Sequence, residues 1–578
     1  MYEIGFFFAF LNIGIIISGM KKIKVNIDGS NFEVEKYSSI LDALALKGLV
    51  EKDKAYKYLE NPIVGAKVNG ETKGLRDVLT STSTIEPIYV FESLGRRIYR
   101  HSICFLLSYA STLVVPERHL VIGHSLGDGF YFSFEDDEYV DQVTVEKIRV
   151  EMERLVRDSL TIEYETLSGE EAMEILAQRG NEKTRLLLCS KNKSAVNVYR
   201  IGSYLQLSYE PIVPNTSMLS LWELRKYGDK GMLLRYPVSQ NVKEMQNFRD
   251  NPLLFKVFEE YKTWGKVLGV KSLGEMNRVT VQGGGREYVK LCEDLHRRKI
   301  ASIADKIKEK GAKIVFVAGP SSSGKTTFAK RLSEELKLLG FKPFKISLDD
   351  YYNPPSMAPL DKEGKPDLEA LEALNVDLID SNMESLLEGK PVNLPQYDFN
   401  THITTFSPVP VQMEEKTIMV VEGIHALNKR ITEGIDQRYI FKVYISALTH
   451  INLDDSNRIS TSDNRLLRRL VRDYRTRGMS AERTLNMWPS VTRGESAHIY
   501  PNQNNADVMF NSALDYEIGV LSTYVIPLLS AVGRDEGPAY TTSRRLLSFL
   551  DNVYPIPGSF VPSDSLLREF IGESDYEH

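Results

Sequence analysis

The chain has 578 residues, which at roughly 150 residues per domain is about four domains' worth of polypeptide. Hydrophobic residues make up 42% and charged residues 26%, a globular balance that excludes disorder, collagen and coiled coil as the main state. With 72 Lys+Arg against 78 Asp+Glu the net charge is −6, so any basic patch for nucleic acid must be local. Cys104, Cys189 and Cys292 are far apart and form no CxxC, which argues against a disulfide framework and for a reducing cytoplasm.

Residues 1–19 are almost wholly apolar, with Glu3 the only charge before Lys21-Lys22. A signal peptide wants a positive start, and the run is barely long enough to span a bilayer. The preferred reading is an upstream extension, with a membrane anchor and a cleaved signal as the alternatives. No other stretch is apolar enough to cross a membrane, so no membrane partner is expected. From residue 20 to 95 the pattern is short strands, turns and one helix. Lys22 to Ile27 alternates, Asp28-Gly29 is a hairpin turn, and Phe32-Glu33-Val34 returns. Ser38-Ser39-Ile40-Leu41 reads as a capped helix start, and Val64 to Gly70 as a further strand and turn. This small pattern resembles the TGS module, a β-grasp domain at the front of threonyl-tRNA synthetases.

Residues 96–285 continue that resemblance, to the synthetases' second additional domain, an α+β editing domain. Ile122-Gly123-His124-Ser125-Leu126-Gly127-Asp128-Gly129-Phe130-Tyr131 looks like its GFY-containing strand, and Tyr199 to Ser208 like a later one. The synthetase family carries metal ligands here as HxxxH and CxxxH. His101 stands at the first position, but Phe105, Ser208 and Ile212 stand at the other three. One ligand of four cannot hold zinc, so no zinc is expected and the domain is read as degenerate. After Gln282-Gly283-Gly284-Gly285, residues 286–310 have helical periodicity and read as a connecting helix. Residues 311–578 alternate strands and helices, an α/β pattern.

The strongest signal follows the buried strand Lys313-Ile314-Val315-Phe316-Val317-Ala318. It is Gly319-Pro320-Ser321-Ser322-Ser323-Gly324-Lys325-Thr326-Thr327, a GxxxxGK[ST] loop opening an amphipathic helix. Its backbone N–H groups, from Gly319 through Ser321, Ser322, Ser323 and Gly324 to Thr327, can wrap phosphates at a helix N-terminus. Lys325 would reach the β- and γ-phosphates, and the Thr326 hydroxyl would sit on Mg²⁺. A second strand, Phe344 to Leu348, ends at Asp349-Asp350. Strand C-terminal ends share one edge of a parallel sheet, so Asp349 can face the loop and accept a hydroxyl proton or help hold Mg²⁺. A third, Thr417 to Val421, ends at Glu422, an acid oriented toward Mg²⁺.

Six arginines then fall within thirteen residues, from Arg465 to Arg477. On a helix, Arg465, Arg468, Arg469 and Arg472 share one face. Such a face beside one acid repels itself unless an anion neutralises it, and closure over a triphosphate is the reading that supplies the anion.

Together these elements, over residues 313–529, resemble the uridine kinase/phosphoribulokinase group of P-loop kinases. Further carriers are Pro395-x-Tyr397-Asp398-Phe399-x-x-His402, Glu422-Gly423-Ile424, and the RxxRRxxRD run. The resemblance implies Asp349 as catalytic base, with Tyr397 and His402 contacting a nucleoside base. It places Glu369 where uridine kinases carry an Asp on the ribose hydroxyls. Arg469, Arg472 and Arg477 match arginines that touch phosphates or substrate. Two departures fall on the substrate side, since the family's RGR is Arg477-Gly478-Met479 here and an expected glutamine is Met487.

The expected architecture is thus an α/β P-loop kinase domain, a parallel sheet with flanking helices, behind a β-grasp domain and an α+β editing-like domain. The expected activity is ATP- and Mg²⁺-dependent phosphorylation of a uridine- or cytidine-like nucleoside in the cytoplasm, with an oligomer compatible. Left open are an RNA-binding regulator with a P-loop nucleotide switch, and a kinase of another small hydroxyl acceptor.

Overall fold

The computed structural model describes residues 21–50, 62–237, 245–360, 364, 366–398 and 401–576. The apolar extension expected over 1–19 lies outside the described residues, as does Phe399. Two compact units divide the chain, Met1–Arg249 and Asp250–His578.

In the first unit, β1 (Lys22–Ile27) and β2 (Ser30–Glu35) form the hairpin, and both residues of its turn, Asp28 and Gly29, take positive φ as a two-residue turn requires. Ser39 caps the helix Ile40–Leu46 reciprocally with Asp42. With β3 (Ile63–Val68), β4 (Glu71–Lys73) and β5 (Ser83–Tyr89) the sheet order is β2-β1-β5-β3-β4. Only the β1–β5 pair is parallel, which is the β-grasp arrangement. The strands that follow are β6 (Leu120–Leu126), β7 (Gly129–Phe134), β8 (Glu163–Ser168), β9 (Ala195–Ile201), β10 (Tyr204–Leu207), β11 (Glu223–Tyr227) and β12 (Gly231–Arg235). They form two sheets, β11-β12-β7-β6 and β10-β9-β8, with every pairing antiparallel.

Phe105 and Ile212, at two of the four ligand positions, are buried in one hydrophobic core with Ile122, Phe132 and Ile148. The Phe105 ring meets Tyr204 edge-on at 5.3 Å. At both positions the side chain is apolar and offers no ligand atom. Metal analysis of the purified protein is expected to find no stoichiometric zinc that His101→Ala removes; such zinc would overturn the reading.

The second unit opens with the helices Pro252–Leu268, Leu273–Val281 and Gly285–Lys310. Its sheet contains β13 (Ile314–Ala318), β14 (Lys342–Ser347), β17 (Thr417–Glu422), β18 (Ile440–Ser446) and β19 (Val508–Asn511), while β15 (Pro395–Asp398) and β16 (Ile403–Phe406) form a separate hairpin. The sheet order is β14-β17-β13-β18-β19, and every pair is parallel. All residues of β13 and β17 are buried, as strands covered on both faces must be. The sequence pattern places a boundary at 285/286, whereas this unit begins at Asp250. The reason is packing: Ile300, Ile303 and Ile307 join Val315, Val317, Phe328 and Leu332 in one core. Likewise the Tyr261 hydroxyl donates to the Asn511 carbonyl at 3.0 Å.

Candidate functional site

Three neighbouring strand ends build the site. β13 runs into the glycine loop at 319–327, and the loop's shape explains its glycines. A Cβ on Gly319 would stand 2.2 Å from the Ile445 carbonyl oxygen, and Gly324 has φ +82°. Inside the loop, Ser322 also takes positive φ, and the hydroxyls of Ser322 and Ser323 are buried without a hydrogen-bond partner. Lys325 Nζ donates to the Pro320 carbonyl at 3.2 Å. β17 lies between β13 and β14, so Glu422 is central. Its Oε1 accepts the Thr326 hydroxyl at 3.1 Å and the Ser347 hydroxyl at 3.5 Å, and pairs with Lys345 Nζ at 3.1 Å.

Asp349 lies in the short turn Leu348–Tyr351 that leaves β14. Its residue surface is exposed, while its carboxyl is crowded by the charges of Glu422, Asp350, Lys325 and Lys345. Desolvation, with the Glu422 charge beside it, pushes its carboxyl up to about 6, against the pull of Lys325 and Lys345. Glu369 is half-buried, and its Oε2 is enclosed without a hydrogen-bond partner. Burial first, then the Glu495 charge, pushes its carboxyl up to about 7, with Arg469 and Lys325 opposing. Tyr397 on β15 and His402, in the turn before β16, are linked through the Tyr397 hydroxyl and His402 Nδ1 at 3.1 Å. They connect to the strand ends through Asp350, which accepts the Tyr397 N–H at 3.4 Å, and through Tyr352, whose ring lies 5.9 Å from that of Tyr397. Burial and the charges of Asp349 and Glu369 hold the Tyr352 hydroxyl well above its usual range. The fold therefore gathers Lys325, Asp349, Glu369, Glu422 and Arg469, with the Tyr397–His402 pair on the adjoining hairpin.

The arginine helix spans Thr461–Arg477, started by a Ser460 cap and ended by Gly478 at positive φ. Here the structure corrects the expectation that a bound anion must neutralise its face. Arg465 and Arg468 are buried and already neutralised by protein carboxylates. Arg465 pairs with the fully buried Glu495, while Arg468 meets Glu517 at 2.5 Å through Nη2 and 3.1 Å through Nε. Both hold the loop as well, Arg465 Nε on the Ser321 carbonyl at 2.9 Å and Arg468 Nη1 on the Ser322 carbonyl at 3.3 Å. Arg469 and Arg472 converge with Arg477 on the buried Asp473, at 3.1, 2.8 and 3.7 Å. Arg469 also donates to the Ser321 hydroxyl at 3.0 Å. Sequence reasoning missed Glu495 and Glu517. Neither carried a signal, because each acid is separated from its arginine by a full helix or more of chain.

Residues 314–518 match the model of the Phosphoribulokinase / Uridine kinase family. Over 225 residues, 38% of this chain and 99% of the relative, the sequence is 29% identical to the uridine kinase of Staphylococcus aureus (strain JH9). Over 196 residues, 34% of this chain, it is 31% identical to the threonine–tRNA ligase of Clostridium novyi (strain NT). That match spans only 30% of the ligase's own length. A solved protein described as a possible uridine kinase from Bacillus stearothermophilus aligns at 18% identity and a TM-score of 0.26, over 37% of this chain and 98% of that one. The C-terminal half thus contains a region that matches this family's model, and the N-terminal region is similar to threonine–tRNA ligases. No helix among the described residues is long and apolar enough to cross a membrane.

Proposed function

We propose that the chain transfers the γ-phosphoryl group of ATP to a hydroxyl of a nucleoside, with a uridine- or cytidine-like acceptor. The observation that carries this reading is the meeting of a P-loop lysine and two acids at three adjacent parallel strand ends. Asp349 takes the proton of the acceptor hydroxyl as that oxygen bonds to phosphorus, and the bond to the bridging oxygen breaks to release ADP. The loop amides from Gly319 to Thr327 cradle the phosphates, and Lys325, Arg469 and Arg472 offset the charge that spreads over the transferring group. Glu369 accepts from the ribose hydroxyls, Tyr397 and His402 read the base face, and Arg477 closes on the substrate. The Thr326 hydroxyl and the Glu422 carboxylate are hard oxygen donors already in contact at 3.1 Å, a set that fits Mg²⁺. Bound there, Mg²⁺ supplies charge neutralisation to the phosphates.

ADP release screened across nucleosides and sugar phosphates tests the reaction class. Asp349→Asn should lower kcat and kcat/KM together, because a base acts mainly in the transition state. Since Asp349 must be ionised to accept the proton, kcat/KM should fall as the pH drops through about 6. Glu369→Ala and His402→Ala should raise the acceptor KM and leave the KM for ATP nearly unchanged. If neither moves the acceptor KM, the nucleoside pocket is wrong even with a kinase.

The similarity of the N-terminal region to threonine–tRNA ligases favours one second reading, an RNA-binding regulator whose P-loop domain is a nucleotide switch. ATP turnover stimulated by RNA alone, with no response to any nucleoside, would select it. Either activity suits a reducing cytoplasm, since Cys104, Cys189 and Cys292 form no disulfide.

A further inference from the structure

Beyond residue 518, where the family match ends, the chain returns to the P-loop. The returning segment is fixed from several sides. Asn277 donates to the Asn552 carbonyl and accepts the Tyr554 N–H, both at 2.9 Å. The Ser565 hydroxyl donates to the buried Glu293 at 2.5 Å. Arg568 donates to the Val561 carbonyl at 2.6 Å, and Arg475 to the Phe570 carbonyl at 2.7 Å.

Held in this way, the segment sets Leu566 against Gly324, where an added Cβ would come within 2.9 Å of Leu566 Cδ2. It also lays the Glu569 carboxylate on Thr327. One oxygen of Glu569 accepts both the Thr327 hydroxyl at 2.7 Å and the Thr327 backbone N–H at 3.3 Å. Thr327 is the third residue of the helix Lys325–Leu338, so its N–H has no partner within that helix. It is one of the donors that a P-loop turns toward phosphate.

Glu495 likewise accepts a loop amide, the Ser321 N–H at 3.0 Å, and the comparison separates the two acids. Glu495 is fully buried and neutralised by Arg465, so it is part of the framework. Glu569 is only half-buried and makes no ion pair among the described residues. Among the described residues, the hydrogen bonds its carboxylate accepts come from the P-loop residue Thr327.

We propose that Glu569 is an internal anion standing in for a nucleotide phosphate on Thr327, so that the C-terminal segment is autoinhibitory toward nucleotide. The inference rests on the reading that this loop binds a nucleotide. Two anions cannot share one pair of donors, so an incoming phosphate must displace the carboxylate and its affinity is reduced accordingly. Glutamine has the same shape and keeps an accepting oxygen, but its hydrogen bonds are weaker than charge-assisted ones.

The test is calorimetric titration of the full chain with Mg²⁺ and ADP, comparing wild type with Glu569→Gln, Glu569→Ala and Lys325→Ala. Glu569→Gln is expected to bind ADP about tenfold tighter, the size of the difference between charged and neutral hydrogen bonds. Glu569→Ala should move in the same direction, and ADP should raise the melting temperature of both variants more than that of wild type. Lys325→Ala should bind more weakly. Unchanged or weaker binding in both Glu569 variants, with Lys325→Ala still weakened, would overturn the proposal alone and make Glu569 a structural brace. If neither wild type nor the Glu569 variants bind ADP, the nucleotide reading falls and the proposal with it.

Discussion

Lys325→Ala is expected to lower ATP turnover by roughly 10²- to 10³-fold or more while leaving the fold intact, by analogy with other groups that stabilise developing charge. Among the described residues its ammonium group donates to the Pro320 carbonyl of its own loop, so the fold has little use for this side chain. On the proposed reading its value lies in the charge it brings to the phosphates. Initial rates of ADP release give the effect, and a circular-dichroism melt of the same sample shows whether the fold survives. A variant with near wild-type kcat would remove the P-loop from the reaction.

Glu517→Ala is expected to cost about 3–5 kcal/mol of stability, because it strands the Arg468 guanidinium in the interior. Arg468 and Glu517 are both essentially inaccessible to water, and Asn464 donates to the same carboxylate. A shift of the denaturant unfolding transition measures the loss. Replacing Arg468 and Glu517 together by methionine should restore much of it, since no uncompensated charge then remains. A loss below about 1 kcal/mol for the single variant would mean that the pair behaves as a solvated surface bridge.

These two residues also mark what could be read from the sequence. Lys325 announces itself because its loop, the preceding strand and the following helix are contiguous, so the chemistry is written in one short stretch. Asp349 and Glu422 were legible for a related reason: each closes an apolar run, and a parallel sheet collects such ends on one edge. The neutralisation of Arg465 and Arg468 was not legible. Their partners lie 30 and 49 residues away, and only the packing of later helices against the arginine helix brings them together. The contact between Thr327 and Glu569 spans 242 residues and leaves no local pattern at all. In the front unit, β1, β2 and β3 were evident from alternation and turns, whereas β4 and the parallel partner β5 were not. The start of the second unit at Asp250 was not, because helical periodicity gives a buried stripe without saying which neighbour covers it.

The register of the parallel sheet separates two parts of the candidate site. Ser347, Glu422 and Val317 form a single transverse row across β14, β17 and β13. Two residues past that row stand Gly319 beyond one strand and Asp349 beyond the other, both outside the sheet. The groups proposed to handle phosphate are thus tied to the central strands, and repacking beneath β17 should disturb them. Glu369, Tyr397 and His402 all lie on chain inserted between β14 and β17, a stretch that contributes its own hairpin rather than a strand of the sheet. On the proposed reading, substitutions within residues 348–416 should change acceptor preference while leaving the Ser347–Glu422–Val317 row in place.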